Sequence, residues 1–121
     1  MQSNSDKSRT EGADVIKLMF LAKKQPWLTY DEFFTYLMHI HAPLVGRLPG
    51  ARRYVINAVM PGASWTLPVC DAVEEIWFDS LATMRDAMES KAGRVMVDDR
   101  RSFATPVDGS VVVEELEVGV P

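Results

Sequence analysis

The order of apolar segments along the chain limits its possible folds more than any other feature. Four short apolar segments, at 15–22, 51–60, 71–79 and 111–118, are separated by amphipathic or polar stretches. Apolar and β-branched residues dominate these segments, which predicts strands. A stretch with helical periodicity follows the first strand, and another follows the third. The predicted order of elements is therefore β-α-β-β-α-β.

Capping residues and apolar periodicity locate the two helices. Thr29 and Glu32 have the spacing of a capping box, which predicts a helix start there. Pro43 must bend this helix or begin a new segment, because proline lacks an amide hydrogen and collides with the preceding turn. Ser80 is the predicted cap of the second helix, which runs to about residue 90. The apolar stripe of the first helix comprises Phe34, Leu37, His41, Leu44 and Leu48.

This order is that of the ferredoxin-like α+β fold, in which an antiparallel four-stranded sheet carries both helices on one face. Alternation along the strands places Met19, Trp77 and valines of the last strand on the face without helices. Two such sheets placed face to face would bury both bare faces. We therefore expect a homodimer, the dimeric α+β barrel, built from a single domain at 15–121 after a disordered leader at 1–14.

Composition and charge argue against several classes of function. The chain has 13 Lys and Arg against 17 Asp and Glu, whereas nucleic-acid-binding domains usually carry a basic surplus. No apolar run approaches the ~20 residues that cross a bilayer. The N-terminus also lacks the apolar region of a signal peptide. We expect a cytoplasmic protein that binds neither nucleic acid nor membrane.

The sequence carries no local motif for a cofactor or a metal. A glycine-rich phosphate loop, a CxxC pair, HExxH and GxSxG are all absent. His39 and His41 point to nearly opposite sides of a helix, so they cannot bind one metal together. Cys70, the single cysteine, has no basic neighbours that would activate a thiolate, and we expect it to be inert.

His41 and Tyr54 are the candidates for chemistry, and each has a structural alternative. His41 lies on the apolar stripe, and this pattern alone favours a hydrogen-bonded core histidine. A general acid or base is the other interpretation, because imidazole titrates near pH ~6.5. Tyr54 is either a core aromatic residue or a phenol that orients or protonates a ligand oxygen. Asn57 either contacts the ligand or faces solvent.

Charged residues within apolar strands are the next candidates. If Lys17 and Glu75 face a dimer cavity, they form an ion pair or hold a polar ligand. If they are exposed, they are charges at the rim that contribute little to stability. Of the two neighbouring carboxylates Glu74 and Glu75, Glu74 is the alternative that we expect to be exposed to solvent. Apolar residues in the loop after the second strand, Trp65 among them, are expected to cover a pocket or a partner.

Several motifs together resemble the EthD-domain family of dimeric α+β barrel proteins. The strongest are HAPLVGRLPG at 41–50 and DAVEEIWFDS at 71–80, and IKLMFLAKK at 16–24 also matches. The resemblance extends over 16–115. It implies a homodimer with a ligand cavity between helix and sheet in each protomer.

The resemblance implies several functions. Some members are accessory proteins of ether-degrading oxygenase systems, and the family is often labelled oxidoreductase. Fungal relatives are linked to decarboxylation or dehydration of aromatic polyketide intermediates. A related lactone methylisomerase acts without a cofactor; its catalytic-site histidine falls on His41 and a cavity tyrosine on Tyr54. The resemblance therefore favours the catalytic interpretation of His41.

We expect a cofactor-free lyase or isomerase that acts on a hydroxylated aromatic, a polyketide or a lactone. The alternatives are a non-catalytic binding protein of an oxygenase system and a cofactor-free oxidoreductase. His41 would transfer a proton, while Tyr54 and Asn57 hold the substrate oxygen. The other predicted substrate contacts are Phe34, Trp65, Trp77, Phe103, Lys17 and Glu75.

Overall fold

The computed structural model describes residues 16–105 and 109–121. Its strands are β1 (Ile16–Ala22), β2 (Arg53–Ala58), β3 (Ala72–Phe78) and β4 (Gly109–Glu114). They form one antiparallel sheet in the order β2-β3-β1-β4. This order confirms the predicted ferredoxin-like α+β fold. The leader expected at 1–14 lies outside the described residues.

The first crossover is helical in three parts: α1 (Tyr30–Tyr36), a π-helical stretch (Leu37–His41) and α2 (Ala42–Val45). The predicted capping box is present, because the Thr29 side chain accepts from the Glu32 amide and the Glu32 carboxylate accepts from the Thr29 amide. Pro43, in the first turn of α2, has no amide hydrogen to donate. The preceding residue, Ala42, donates to the Leu37 carbonyl five residues back. The π-helical stretch thus joins the two α-helical parts and ends just before the turn that contains the proline.

The second crossover contains α3 (Leu81–Glu89) and α4 (Lys91–Asp99), followed by a 3-10 turn (Arg100–Ser102). A serine caps each of these helices. The Ser80 hydroxyl accepts from the Thr83 amide, as predicted, and the Ser90 hydroxyl accepts from the Gly93 amide. Capping residues therefore fix where both helices begin.

The core lies between the helices and one face of the sheet. Alternate residues of β1 and of β3 are buried there, beginning with Ile16 and Ala72. The buried stripe of the first crossover comprises Phe33, Leu37, His41, Val45 and Leu48. The predicted stripe was wrong at two positions, since Phe34 and Leu44 are only partly buried. A π-helical turn takes an extra residue, so it spaces buried side chains more widely than the α-helical period predicts.

The opposite face of the sheet carries no helix in the described part of the chain. Lys17, Glu75 and Trp77 lie on it together, as alternation predicted. Glu74 was wrongly expected to be solvated: it lies on the helical face and has no solvent exposure. The last strand is also displaced, because β4 ends at Glu114 rather than near residue 118. None of the helices described is long and apolar enough to cross a bilayer.

Two glycines with positive φ give a matched test of backbone strain and side-chain collision. Gly50 has φ 82° and Gly62 has φ 77°. A Cβ atom at Gly50 would collide with Cγ2 of Thr83, whereas at Gly62 it would meet open space. We expect Gly62→Ala to lower the free energy of unfolding by about 1 kcal/mol through strain alone. Gly50→Ala should lower it by about 2–3 kcal/mol, because overpacking adds to the strain. Urea denaturation measures both.

The double variant Gly50→Ala with Thr83→Ser is the control. Serine lacks the Cγ2 methyl and keeps a hydroxyl for the contact with Ser80. The double variant should lose no more stability than Gly62→Ala. Equal losses for the two single alanine variants would contradict the predicted collision.

Candidate active site

His41 and Glu74 form the centre of a buried polar network between the helices and the sheet. Both side chains have 0% solvent exposure. His41 ends the π-helical stretch, and Glu74 is in the middle of β3. The Nε2 atom of His41 lies 3.9 Å from Oε1 of Glu74. Asp99 and Tyr36 continue the network from His41, and Arg100 and Tyr54 continue it from Glu74.

Asp99, the last residue of α4, fixes the His41 ring. Its Oδ2 lies 3.0 Å from Nδ1 of His41, and its Oδ1 accepts a 2.7 Å hydrogen bond from the Tyr36 hydroxyl. A carboxylate accepts hydrogen bonds, so the neutral ring carries its hydrogen on Nδ1. The lone pair is then on Nε2.

Nε2 of His41 has no hydrogen-bond partner among the described residues. Burial lowers the pKa of the His41 imidazole, although the hydrogen bond with Asp99 opposes this shift. The ring also packs on Phe103, with 4.6 Å between the ring centroids. The geometry thus leaves a neutral, oriented imidazole with an unused acceptor, which is what a general base requires.

Arg100 and Tyr54 hold the Glu74 carboxylate. Nη1 of Arg100 donates to Oε2 of Glu74 at 2.7 Å, and the Tyr54 hydroxyl donates to Oε1 at 2.6 Å. Burial raises the pKa of the Tyr54 phenol, and the neighbouring carboxylate raises it further. Tyr54 therefore stays protonated and serves as a hydrogen-bond donor. The Arg100 guanidinium lies over the Phe20 ring, 4.2 Å from its centroid.

A family model described as the EthD domain matches residues 25–106, which is more than half of the 121-residue chain. The chain belongs to the EthD family. This finding confirms the resemblance seen in the sequence. The comparison with curated proteins found no match.

Solved structures share the fold of this EthD domain. An EthD family protein from Bacillus halodurans is 24% identical with a TM-score of 0.73, and the match covers 84% of this chain and 99% of that chain. A dimeric protein with a ferredoxin-like fold from Bacteroides fragilis is 11% identical with a TM-score of 0.61, covering 84% and 97%. SnoaB, a cofactor-independent oxygenase from Streptomyces nogalater, is 13% identical with a TM-score of 0.62, covering 88% and 97%.

The EthD domain brings three of the predicted site residues together. His41 and Tyr54 both approach Oε1 of Glu74, at 3.9 Å and 2.6 Å. Phe103 packs against the His41 ring. Phe34 lies nearer the start of the first crossover, in α1, where its ring contacts Phe33 at a centroid distance of 4.9 Å.

The remaining predicted substrate contacts do not lie beside His41. Lys17, Glu75 and Trp77 are on the opposite sheet face, where Lys17 and Glu75 form the anticipated ion pair at 2.8 Å. Asn57 also lies there and donates to Glu75 at 3.0 Å. Trp65 is fully exposed in its loop. The sheet separates this group from His41, because neighbouring strand residues point to opposite faces.

Sequence reasoning assigned no role to four members of the network: Tyr36, Glu74, Asp99 and Arg100. One signal was available for Glu74. It shares its strand face with Ile76 and Phe78, and a carboxylate on such a face needs a buried cation or donor. Nothing local in the sequence indicates that Arg100 supplies it. In the described residues, no three His, Cys, Asp or Glu side chains are placed to hold a metal ion.

The lowered pKa of His41 implies that the free energy of unfolding depends on pH. Between that pKa and the ordinary value of ~6.5, the unfolded chain binds a proton that the folded ring does not. Protonation then favours unfolding, so His41 stabilises the fold less as the pH falls through this window. The difference in unfolding free energy between the native chain and His41→Gln should shrink from pH 7.5 to pH 5.5. Urea denaturation at the two pH values measures it.

A difference that grows on acidification would contradict this sign, because it would mean that folding favours the protonated ring. Nitrogen-15 NMR of the imidazole is an independent check. At neutral pH it should show the hydrogen on Nδ1 and a bare Nε2.

Proposed function

We propose that this EthD protein is a cofactor-free enzyme that transfers a proton on a small organic substrate, with Nε2 of His41 as the base. The observation that carries the proposal is the unpartnered Nε2 of a fully buried imidazole whose other nitrogen is held by Asp99. A purely structural buried histidine normally has both ring nitrogens satisfied. A base instead needs a free lone pair in a fixed direction.

The groups around Nε2 suit a substrate that gains negative charge on oxygen as a C–H or O–H proton leaves. The Tyr54 hydroxyl, whose one hydrogen is donated to Glu74 in the structure, can turn to a substrate oxygen, and Arg100, which is paired with Glu74, supplies a positive charge. Donors and charges fixed in advance stabilise a developing oxyanion more than mobile water does. Hydroxylated aromatics, polyketides and lactones have the required proton next to a carbonyl or enol.

The reaction class follows from the same proton transfer. Loss of a proton next to a carbonyl leads to isomerisation when the proton returns elsewhere. It leads to a lyase reaction when hydroxide leaves from the adjacent carbon. In a decarboxylation His41 instead takes the carboxylic acid proton, the C–C bond to the carboxylate breaks with release of carbon dioxide, and the proton returns to the carbon that keeps the electron pair. We therefore propose a lyase or isomerase. A cofactor-free oxidoreductase is the second candidate, favoured by the fold shared with SnoaB, which is described as a cofactor-independent oxygenase.

The test is a mass-spectrometric turnover screen of aromatic carboxylic acids, anthrones and lactones without added cofactor. Product should form with the native chain, and His41→Gln should reduce its rate by about 10²–10⁴-fold, the usual contribution of a general base. His39→Gln is the matched control, because His39 is exposed on the same helical segment and should keep full activity. An unchanged mass identifies an isomerase, lost carbon dioxide a decarboxylase and added oxygen an oxygenase.

Full turnover by His41→Gln would refute the assignment of the base. Tight ligand binding without product, unaffected by His41→Gln, would instead identify a binding protein of an oxygenase system.

We also propose that the protein is a homodimer joined through the helix-free sheet faces. Apolar residues of three strands, Met19, Trp77 and Val111, share this face. At its centre, Lys17 and Glu75 neutralise each other, which reduces the cost of burying the charges. The similar Bacteroides fragilis structure is described as dimeric.

Light scattering with size exclusion tests this arrangement. At micromolar concentration the native chain should have twice the 13.6 kDa of one protomer. Met19→Glu should give the protomer mass, because it places two carboxylates in an apolar interface. Val95→Glu is the control, since Val95 is an exposed apolar residue of α4, away from the interface. Dimers of unchanged stability with Met19→Glu would exclude this interface.

A further inference from the structure

Tyr36 and His41 contact the same carboxylate, one from just before the π-helical stretch and the other from its last residue. The Tyr36 hydroxyl donates to Oδ1 of Asp99 at 2.7 Å, and Nδ1 of His41 lies 3.0 Å from Oδ2. Both rings also pack on Phe103, with centroid distances of 5.6 Å for Tyr36 and 4.6 Å for His41. The phenol and the imidazole are therefore parts of one cluster.

The π-helical geometry brings these two side chains to the same side of the helix. Tyr36 and His41 are separated by a π-helical turn, whereas in a regular α-helix side chains at this spacing point about 140° away from each other. In a π-helix an amide bonds to the carbonyl five residues back, as the Ala42 amide does with Leu37. Residues at that spacing then lie nearly above one another, so both side chains can reach Asp99.

The Asp99 carboxylate is not fully enclosed, so a second contact matters for its direction. Its side chain is 18% exposed, whereas the His41 ring has no exposure. A carboxylate within reach of water can exchange a protein donor for a solvent donor at a small net cost. Burial raises the pKa of the Tyr36 phenol, and the Asp99 carboxylate raises it further, so the phenol keeps its hydrogen. The protonated phenol holds Oδ1, which leaves Oδ2 directed at Nδ1 of His41.

We propose that Tyr36 is a positioning residue for the base: it acts through Asp99 to keep the imidazole hydrogen on Nδ1 and the lone pair of His41 on Nε2. The hydrogen bond made at one ring nitrogen decides which tautomer a histidine adopts. If the acceptor at Nδ1 turns towards water, the hydrogen can move to Nε2, where it removes the lone pair. The role of Tyr36 in catalysis rests on the proposed function, whereas its effect on the tautomer is measured without a substrate.

Nitrogen-15 NMR of the imidazole groups in the full chain tests this role at pH 7.5, where the His41 ring is neutral. Tyr36→Phe removes the hydroxyl and keeps the ring that stacks on Phe103. It should shift the tautomer ratio of His41 towards Nε2–H by about fivefold, corresponding to ~1 kcal/mol for one hydrogen bond. Tyr30→Phe is the matched control and should leave the ratio unchanged, because Tyr30 is an exposed tyrosine of the same helix outside the network.

Asp99→Ala tests whether Tyr36 acts through the carboxylate. This variant removes the acceptor itself, so it should shift the tautomer ratio at least as far as Tyr36→Phe does. Adding Tyr36→Phe to Asp99→Ala should then have no further effect, because the two changes interrupt the same path. His39, the other histidine, is exposed and is the internal reference in every spectrum. Circular dichroism verifies that each variant is folded.

An unchanged tautomer ratio in folded Tyr36→Phe, or a shift towards Nδ1–H, would overturn the proposal. So would a fivefold further shift when Tyr36→Phe is added to Asp99→Ala, because Tyr36 would then act by another route.

Turnover separates this proposal from the proposed catalysis. With a substrate found in the turnover screen, Tyr36→Phe should lower kcat about two- to tenfold and leave KM unchanged, because the phenol faces Asp99 rather than the free Nε2. If the tautomer is unchanged in Tyr36→Phe while His41→Gln loses turnover, His41 is a base that Tyr36 does not position. If the tautomer shifts but the native chain converts no substrate, the proposed function fails and Tyr36 only orients a structural histidine.

Discussion

The ion pair between Glu74 and Arg100 is the contact on which the rest of the buried network depends. Removing a carboxylate from water costs several kcal/mol unless a cation and hydrogen bonds compensate. Arg100 supplies the cation from the turn after α4, and Tyr54 supplies a hydrogen bond from β2. The pair therefore links β3 to the second crossover, and this linkage places Asp99, the neighbour of Arg100, against His41. Breaking such a pair by deleting one partner typically costs about 3–5 kcal/mol.

The same pair explains why the catalytic proposal centres on His41 rather than on a carboxylate. The Glu74 carboxylate already accepts hydrogen bonds from Arg100 and Tyr54. The Asp99 carboxylate already contacts the Tyr36 hydroxyl and the His41 ring. Among the buried side-chain atoms described, Nε2 of His41 and the Thr105 hydroxyl lack a hydrogen-bond partner, and of these two only the imidazole nitrogen belongs to the network. The proposed chemistry of the EthD domain thus centres on one nitrogen, surrounded by groups that orient it or balance its charge.

Much of the fold was predictable because it depends on local patterns. The period of two in β1 and β3 gave the correct inward and outward residues, and the capping box at Thr29 gave the correct helix start. The burial of His41 was predictable for the same reason, since it lies on the buried stripe. The sequence also placed Glu74 opposite to Glu75, but Glu74 was expected to be solvated and is fully buried, whereas Glu75 is partly buried in its ion pair with Lys17. Which of two adjacent carboxylates is buried depends on Arg100, which is distant in sequence.

The site was less predictable than the fold because its members meet only in three dimensions. Tyr36 and Asp99 are 63 positions apart, and Arg100 is 26 positions from Glu74. No periodic pattern in the sequence indicates that two residues so far apart are in contact. The predicted substrate contacts are divided between the two faces of the sheet for a related reason: Trp77 and Phe103 are both aromatic, yet one faces the bare side of the sheet and the other the helices. Composition identifies the aromatic residues but not the face of the sheet on which each one lies.

The π-helical stretch at Leu37–His41 has a consequence for insertions and deletions. Each residue of an α-helix turns the chain by about 100°, so a change of one residue rotates everything that follows by that amount. Deleting one residue from the π-helical stretch would remove its extra residue and restore a regular helix with His41 still facing Asp99, whereas a larger deletion or an insertion would turn the imidazole away. The number of residues in this segment is therefore as much a part of the site as their identities. The loop at 61–70 carries no such requirement, because no residue of the network lies in it.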